Sequence, residues 1–120
     1  MKRKLSQEDR EKLIQAAKEF PQHYKLAKLP QQVIITLQKI AENPPKEGLE
    51  LKIKLALIKL LHNPHHNSLS SHRFLSLDKK YAKKIWESYV ENHCPGAYRL
   101  FWYFGDPEKT ITLVLIIPHP

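Results

Sequence analysis

Apolar side chains in the first half of the chain recur every three or four residues, the spacing that places them on one face of a helix. A first stripe predicts a helix over about residues 6–20, with Ser6 as its N-cap. A second stripe predicts a helix that begins at Pro30, a residue suited to the first helical turn, and that ends at residues 43–45. Residues 22–29 between them indicate a linker.

Residues 47–62 fit two periods at once. Leucine and isoleucine alternate with other residues from position 49 to 57, which is typical of a strand, while apolar residues from 51 to 61 also fall on one helical face. The length of the segment favours a helix, as does its content of Leu, Lys, Glu and Ala with few β-branched residues.

The last third of the chain shows the alternation that is typical of strands. A short strand at 73–77 and a charged connection at 78–84 come first. Two aromatic-rich strands follow, at residues 85–90 and 97–104, and an aliphatic strand comes after them at residues 111–117. Short turns with Pro and Gly separate these three strands, which indicates an antiparallel meander.

Helices followed by strands predict an α+β fold. We expect the N-terminal helices to pack on one face of a twisted, mostly antiparallel sheet of three to four strands. The chain has 120 residues, which is enough for one hydrophobic core, so a single domain spanning 1–120 is predicted.

The turn at 92–96 also predicts a strand register. If it joins positions 91 and 97 as neighbours, Tyr89 lies opposite Arg99. The two-residue period then places Glu87 on the same face as Tyr89 and Arg99. Three apolar or aromatic side chains share that face: Ile85, Phe101 and Tyr103. The other face is expected to be core beneath the helices and carries Tyr98, Leu100, Trp102 and Phe104.

Charge and cysteine content limit the binding partners and the cellular compartment that we expect. Lys and Arg number 20 against 12 Asp and Glu, a net charge of +8, which favours a polyanion such as RNA or an acidic protein as partner. The single cysteine, Cys94, excludes an intramolecular disulfide and suits a reducing cytoplasm. The basic start at residues 1–4 does not resemble a secretory signal, and no apolar run reaches the roughly 20 residues of a membrane helix.

Metal and cofactor chemistry is not expected. The chain has seven histidines, but it contains neither a CxxC nor an HExxH pattern. Three glycines in total do not form a phosphate-binding loop.

Several segments resemble the RelE/ParE toxin superfamily. Residues 60–69, Leu-Leu-His-Asn-Pro-His-His-Asn-Ser-Leu, are similar to the junction after a helix in that family, and 85–90, 97–103 and 116–119 are similar to its last three strands. The resemblance covers about residues 29–120. It implies a RelE-like fold and a bacterial type II toxin that an acidic antitoxin neutralises. Many members cleave messenger RNA on the ribosome, and one branch inhibits DNA gyrase.

Two departures from the family pattern bear on these expectations. The helix at 6–20 stands where members usually have a first strand. Ribonuclease members often carry a second arginine on the strand where this chain has Glu87-Ser88-Tyr89. The second departure keeps open a non-catalytic alternative, either a gyrase-inhibiting toxin or an inactive relative that binds an antitoxin-like partner.

A metal-free ribonuclease needs a base, an acid and a cation near the scissile phosphate. His119 suits acid or base work because imidazole exists in both forms near neutral pH. Arg99 suits phosphate because its guanidinium donates two parallel hydrogen bonds, and Glu87 and Tyr89 complete the candidate catalytic set. The plain alternatives are an Arg99–Glu87 structural ion pair and an exposed tail at His119.

Basic residues before the meander are candidates for RNA binding, since lysines can follow a phosphate backbone. A solvated charged connection is the alternative interpretation. The candidates are Arg73, Lys79, Lys80, Lys83 and Lys84.

Overall fold

A computed structural model describes residues 5–119. The basic start at 1–4 and Pro120, both part of the predicted domain, lie outside the described residues. Within this range the helices are α1 (Gln7–Glu19), α2 (Gln31–Glu42), α3 (Leu49–His62) and α4 (Asp78–Tyr81). The strands are β1 (Lys25–Leu26), β2 (His72–Arg73), β3 (Trp86–Tyr89), β4 (Tyr98–Gly105) and β5 (Thr110–Pro118).

The first predicted helix is confirmed as α1, and so is its cap. The Ser6 hydroxyl accepts the Asp9 backbone N–H at 3.0 Å, and the Asp9 carboxylate accepts the Ser6 N–H at 3.4 Å. This capping box satisfies two of the free N–H groups at the helix start. Of the residues in α1, Ala16 is the one that is buried, so the helix adds little to the core.

The ambiguous segment at 47–62 is helical, as predicted, but its buried stripe differs from the expected one. The side chains that α3 buries are Leu49, Ile53, Ala56 and Leu60. Their spacing of three and four residues is helical, so burial follows the 3.6-residue period and not the strand alternation. α2 begins after Pro30, which serves as its N-cap.

The sheet has five strands in the order β1-β5-β4-β3-β2, where three to four were predicted. Neighbours are antiparallel except β1, which runs parallel to β5. The two outer strands are two residues long, too short to show an alternating pattern. The strand predicted at 73–77 is wrong for most of its length, since Leu75–Leu77 form a 3-10 turn.

β1 also corrects the expectation about the first strand. It lies inside the segment 22–29, which was predicted to be a linker, and it precedes α2. The helix at the N-terminus is therefore added to a first strand and does not replace it.

α2 and α3 pack on one face of the sheet, which confirms the α+β architecture. Leu100 and Trp102 of β4 are fully buried beneath them in the main core. Phe104, predicted to belong to this core, is 44% exposed. It stands at the rim, where its ring meets Trp102 edge-on with 4.9 Å between centroids.

A segment that follows β2 covers the opposite face of the sheet. Phe101, which was predicted to share the face of Glu87, is fully buried there. The segment 74–81 folds over it, and the Phe74 ring lies 5.0 Å from the Phe101 ring in an edge-on arrangement. The charged connection predicted at 78–84 thus includes α4 and part of this cover. Among residues 5–119, none of the helices has the length and apolar character needed to cross a bilayer.

Candidate functional site

The register of β3, β4 and β5 brings the candidate side chains to one face. Tyr89 pairs with Arg99, as predicted, and Glu87 pairs with Phe101. Arg99 in turn pairs with Ile117 of β5. The backbone N–H of His119 donates to the Ala97 carbonyl at 2.7 Å, which continues that pairing. The two-residue period therefore places His119 on the same face as Arg99 and Glu87.

A buried carboxylate lies at the centre of this face. Glu87 is 1% exposed, and both of its oxygens accept hydrogen bonds from histidines. His72 Nε2 donates to Oε1 at 2.6 Å, and His119 Nδ1 donates to Oε2 at 3.0 Å. The two imidazole side chains are themselves 47% and 51% exposed. Two half-exposed imidazole rings are thus hydrogen-bonded to the one buried carboxylate of Glu87.

Arg99 lies in the interior, where it is a counter-charge to Glu87. Its Nη1 donates to the carbonyl oxygens of Glu91, at 2.6 Å, and Tyr98, at 3.2 Å. Its Nε is 3.9 Å from Glu87 Oε2 and has no hydrogen-bond partner among residues 5–119. The ring of Tyr89 covers the guanidinium, with 3.7 Å from its carbon to the ring centroid. The cation expected at a phosphate is therefore held beneath Tyr89.

His119 has the orientation that acid–base chemistry needs. Its Nδ1 proton is engaged by Glu87, and among residues 5–119 its Nε2 makes no hydrogen bond. A carboxylate on one ring nitrogen fixes the tautomer and supports the charged ring when the other nitrogen takes a proton. The outward Nε2 is the atom of this cluster best placed to exchange a proton with a ligand.

The predicted RNA-binding lysines lie away from this cluster. Lys79, Lys80, Lys83 and Lys84 are all exposed. The Lys83 amine lies 5.4 Å from the Tyr103 ring centroid. Tyr103 is four residues along β4 from Arg99, roughly 13 Å at the rise of a strand. Lys83 is therefore not brought together with His119, and among residues 5–119 no hydrogen bond or ion pair joins the other three lysines to Glu87 or its partners.

Arg73 is not part of the cluster either. Its partner across the strands is Trp86, whereas His72 pairs with Glu87, so Arg73 points to the opposite face. Its guanidinium forms an ion pair with Asp78, and its Nε donates to the Ile85 carbonyl at 3.2 Å. These contacts hold the segment over the sheet to the start of β3.

Sequence reasoning missed His72. The predicted strand began one residue later, at Arg73, so no register was available to place His72 opposite Glu87. Reading Ser71-His72-Arg73 as a strand paired with β3 would have found it.

A basic groove was missed as well. A cavity of about 190 Å³ adjoins Tyr89, between α3 and the end of β3. Its lining includes Lys52, Lys59 and Ser68. The two lysines lie outside the apolar stripe of α3, so the periodicity of its apolar residues does not mark them.

A second buried carboxylate holds the turn that follows β3. The two oxygens of Glu91 accept from Lys46 Nζ at 3.1 Å and Lys52 Nζ at 3.3 Å. Burial raises the pKa of the Glu91 carboxyl, but hydrogen bonds from the Tyr98 backbone and the two lysines outweigh it. The pKa therefore lies below its ordinary value of 4.5. Lys46 also donates to the carbonyl of Gly96 at 2.9 Å, so one amine joins Glu91 to the turn.

Replacing Glu91 by glutamine should lower the free energy of unfolding at pH 7 by about 1–3 kcal/mol, because Lys46 and Lys52 lose their negatively charged partner. A lowered folded-state pKa means that this stability is present above pH 4.5 and is lost as the pH falls through the folded value. Urea denaturation at pH 7, 5 and 3 should therefore show a steeper decline for the parent chain than for Glu91→Gln. Equal declines in the two chains would show that Glu91 contributes nothing to acid sensitivity.

Among residues 5–119, no group of three or more His, Cys, Asp or Glu side chains is arranged to hold a metal ion. Comparison with known proteins gives no match to a protein family, to a curated protein or to a solved structure. The assignment of a function therefore rests on the geometry of Glu87, His72, His119 and Arg99.

Proposed function

We propose that this chain is the toxin of a bacterial type II toxin–antitoxin pair. In this proposal it acts in the cytoplasm as a ribosome-associated, metal-free endoribonuclease of messenger RNA that inhibits translation, and an acidic antitoxin neutralises it. The observation that carries the proposal is the bond between the buried Glu87 and Nδ1 of His119, a ring that is 51% exposed and whose Nε2 makes no hydrogen bond among residues 5–119.

The chemistry follows from that nitrogen. The 2′-hydroxyl of a ribose attacks the adjacent phosphorus, an O2′–P bond forms and the P–O5′ bond breaks. His119 Nε2 removes the proton of the 2′-hydroxyl while water protonates the departing 5′-oxygen, or in its charged form it gives a proton to the departing 5′-oxygen while water accepts the proton of the 2′-hydroxyl. Glu87 stabilises the charged ring through Nδ1. Because both of its oxygens are occupied and it is 1% exposed, Glu87 orients His119 and does not itself contact RNA.

The positive charge of the chain supports RNA as the substrate. Arg99 contributes its charge from beneath Tyr89 rather than by direct contact. Lys52 and Lys59 line the groove beside Tyr89, and their charges add to the positive potential that attracts an RNA backbone to this side of the molecule. The lysines at residues 79–84 contact more distant phosphates of the RNA, or the ribosome.

Replacing His119 by asparagine tests this function. The asparagine amide can still donate to Glu87 as Nδ1 does, but no nitrogen remains to exchange a proton. The parent chain and the variant are induced in a bacterial host, and incorporation of labelled methionine is followed. We expect incorporation to fall rapidly with the parent and to stay at the uninduced level with His119→Asn.

His93→Asn is the matched control. His93 is an exposed residue of the turn after β3 with a φ of 55°, a conformation that asparagine accepts, and this variant should inhibit as the parent does. Purified parent chain should also cut messenger RNA that is bound to ribosomes. Full inhibition by His119→Asn would exclude His119 as the reacting group.

A second candidate is a non-catalytic binding protein on the same fold. Burial of Arg99 under Tyr89 favours it, because a guanidinium covered in this way does not reach a phosphate without movement of the ring. In that case methionine incorporation should be unaffected by the folded parent chain. Inhibition of DNA supercoiling by purified gyrase would then identify the gyrase-directed form.

A further inference from the structure

We propose that His72 is a positioning residue of this site, which fixes the Glu87 carboxylate and thereby selects the tautomer of His119. The effect on RNA cleavage rests on the function proposed above, whereas the effect on His119 does not. His72 lies on the edge strand β2, directly opposite Glu87 in the register.

Both ring nitrogens of His72 are occupied within the protein. Nε2 donates to Glu87 Oε1 at 2.6 Å, and Nδ1 faces the Ser70 carbonyl at 2.8 Å. Both partners are acceptors, and each of them faces one nitrogen of the ring. No ring nitrogen is left to contact a substrate, which assigns His72 to positioning rather than to catalysis.

The surroundings hold this ring in place. Ser70 has a φ of 45°, a left-handed conformation that is uncommon outside glycine. Its carbonyl meets Nδ1 of His72 in this conformation. On another side, the ring meets Tyr89 edge-on, with 6.0 Å between centroids. The imidazole is thus oriented by a carbonyl, a carboxylate and an aromatic ring.

Loss of the bond between His72 and Glu87 should change the tautomer of His119. Within residues 5–119, three charged or titratable groups face the Glu87 carboxylate: His72 from β2, Arg99 from β4 and His119 from the end of β5. Of these three, His72 alone bonds Oε1. Without it that oxygen lacks its donor, and the carboxylate is free to rotate away from His119 Nδ1.

Three substitutions separate the bonds of His72. His72→Gln keeps a donor in the place of Nε2, so the bond to Glu87 is retained without the imidazole. His72→Asn keeps a donor only in the place of Nδ1, and His72→Leu keeps neither. Because the His72 side chain is 47% exposed on an edge strand, all three should fold, and circular dichroism with thermal melting checks this.

The first readout is the tautomer of neutral His119, from the 15N chemical shifts of its ring. The parent and His72→Gln should show the Nδ1–H tautomer that donates to Glu87. His72→Leu and His72→Asn should shift toward the Nε2–H tautomer that a free histidine side chain prefers. An unchanged Nδ1–H tautomer in His72→Leu would overturn the inference, whether or not the chain cleaves RNA.

The second readout is cleavage of messenger RNA by the same four proteins. His72→Leu and His72→Asn should be slower than the parent by about 10- to 100-fold, the usual effect of removing a group that orients a reacting ligand. His72→Gln should remain close to the parent. A tautomer shift in a chain whose parent form does not cleave RNA would support the role of His72 and contradict the ribonuclease function. A shift without any loss of cleavage would restrict His72 to structure and contradict its role in the reaction.

Discussion

Replacing Glu87 by glutamine should slow RNA cleavage by about 10³- to 10⁴-fold, the scale seen when the carboxylate behind a catalytic histidine becomes an amide. In the variant, the amide presents one oxygen and one NH₂ group to two histidine nitrogens. Both of these nitrogens donate to Glu87 in the parent chain. One of the histidines must then turn or change its tautomer. The neutral side chain also no longer stabilises the charged form of His119.

The measurement compares single-turnover cleavage by the parent, Glu87→Gln and Glu91→Gln. Glu91 is the matched control, since it is also a buried carboxylate on the same polypeptide segment but bonds lysines and not histidines. Its variant should lose stability and keep cleavage wherever it is folded. Equal cleavage by Glu87→Gln and the parent would show that Glu87 is only a structural partner of Arg99.

Replacing Trp102 by alanine should lower the free energy of unfolding by about 3–5 kcal/mol, the cost of removing a large aromatic side chain from a core. Trp102 is fully buried, and its ring stacks on Trp86 with 5.7 Å between centroids. Its Nε1 donates to the Ser88 hydroxyl at 2.7 Å, and that hydroxyl also bonds Ser71 at 2.6 Å. Alanine therefore leaves both a cavity and a shortened hydrogen-bond chain.

Urea denaturation at pH 7 measures this loss, with two comparisons. Trp102→Phe keeps most of the ring and should cost clearly less than alanine. Phe104→Ala changes an aromatic residue two positions along the same strand that is 44% exposed, and it should cost less than Trp102→Ala for that reason. Equal losses at the two positions would contradict the assignment of Trp102 to the core and Phe104 to its rim.

The sequence correctly predicts the residues of the site that lie on the hairpin of β3 and β4. The turn between β3 and β4 sets the register locally, so Tyr89 and Arg99 are correctly placed opposite each other from turn length and alternation alone. Glu87 follows from the same period. The three long helices are likewise set by local periodicity and by end signals such as Ser6 and Pro30.

The part that the sequence does not predict depends on contacts between distant segments. β1 and β2 are two residues long, and their pairing is decided by the strands they meet, so no local pattern marks them. For this reason the sequence does not reveal that His72 belongs to the site. The depth of Arg99 also depends on whether the ring of Tyr89 lies over it, which alternation along a strand does not reveal.

The position of β5 in the sheet has a consequence for how the chain folds during synthesis. β5 lies between β1 and β4, although β1 is the first and β5 the last of the five described strands to be synthesised. The helices and the β3–β4 hairpin can form as they emerge, but β1 has no neighbour to pair with until residues 110 and 111 are available. His119 follows β5 directly. The cluster around Glu87 is therefore assembled in the same late step that closes the sheet, and a partly synthesised chain lacks the proposed activity.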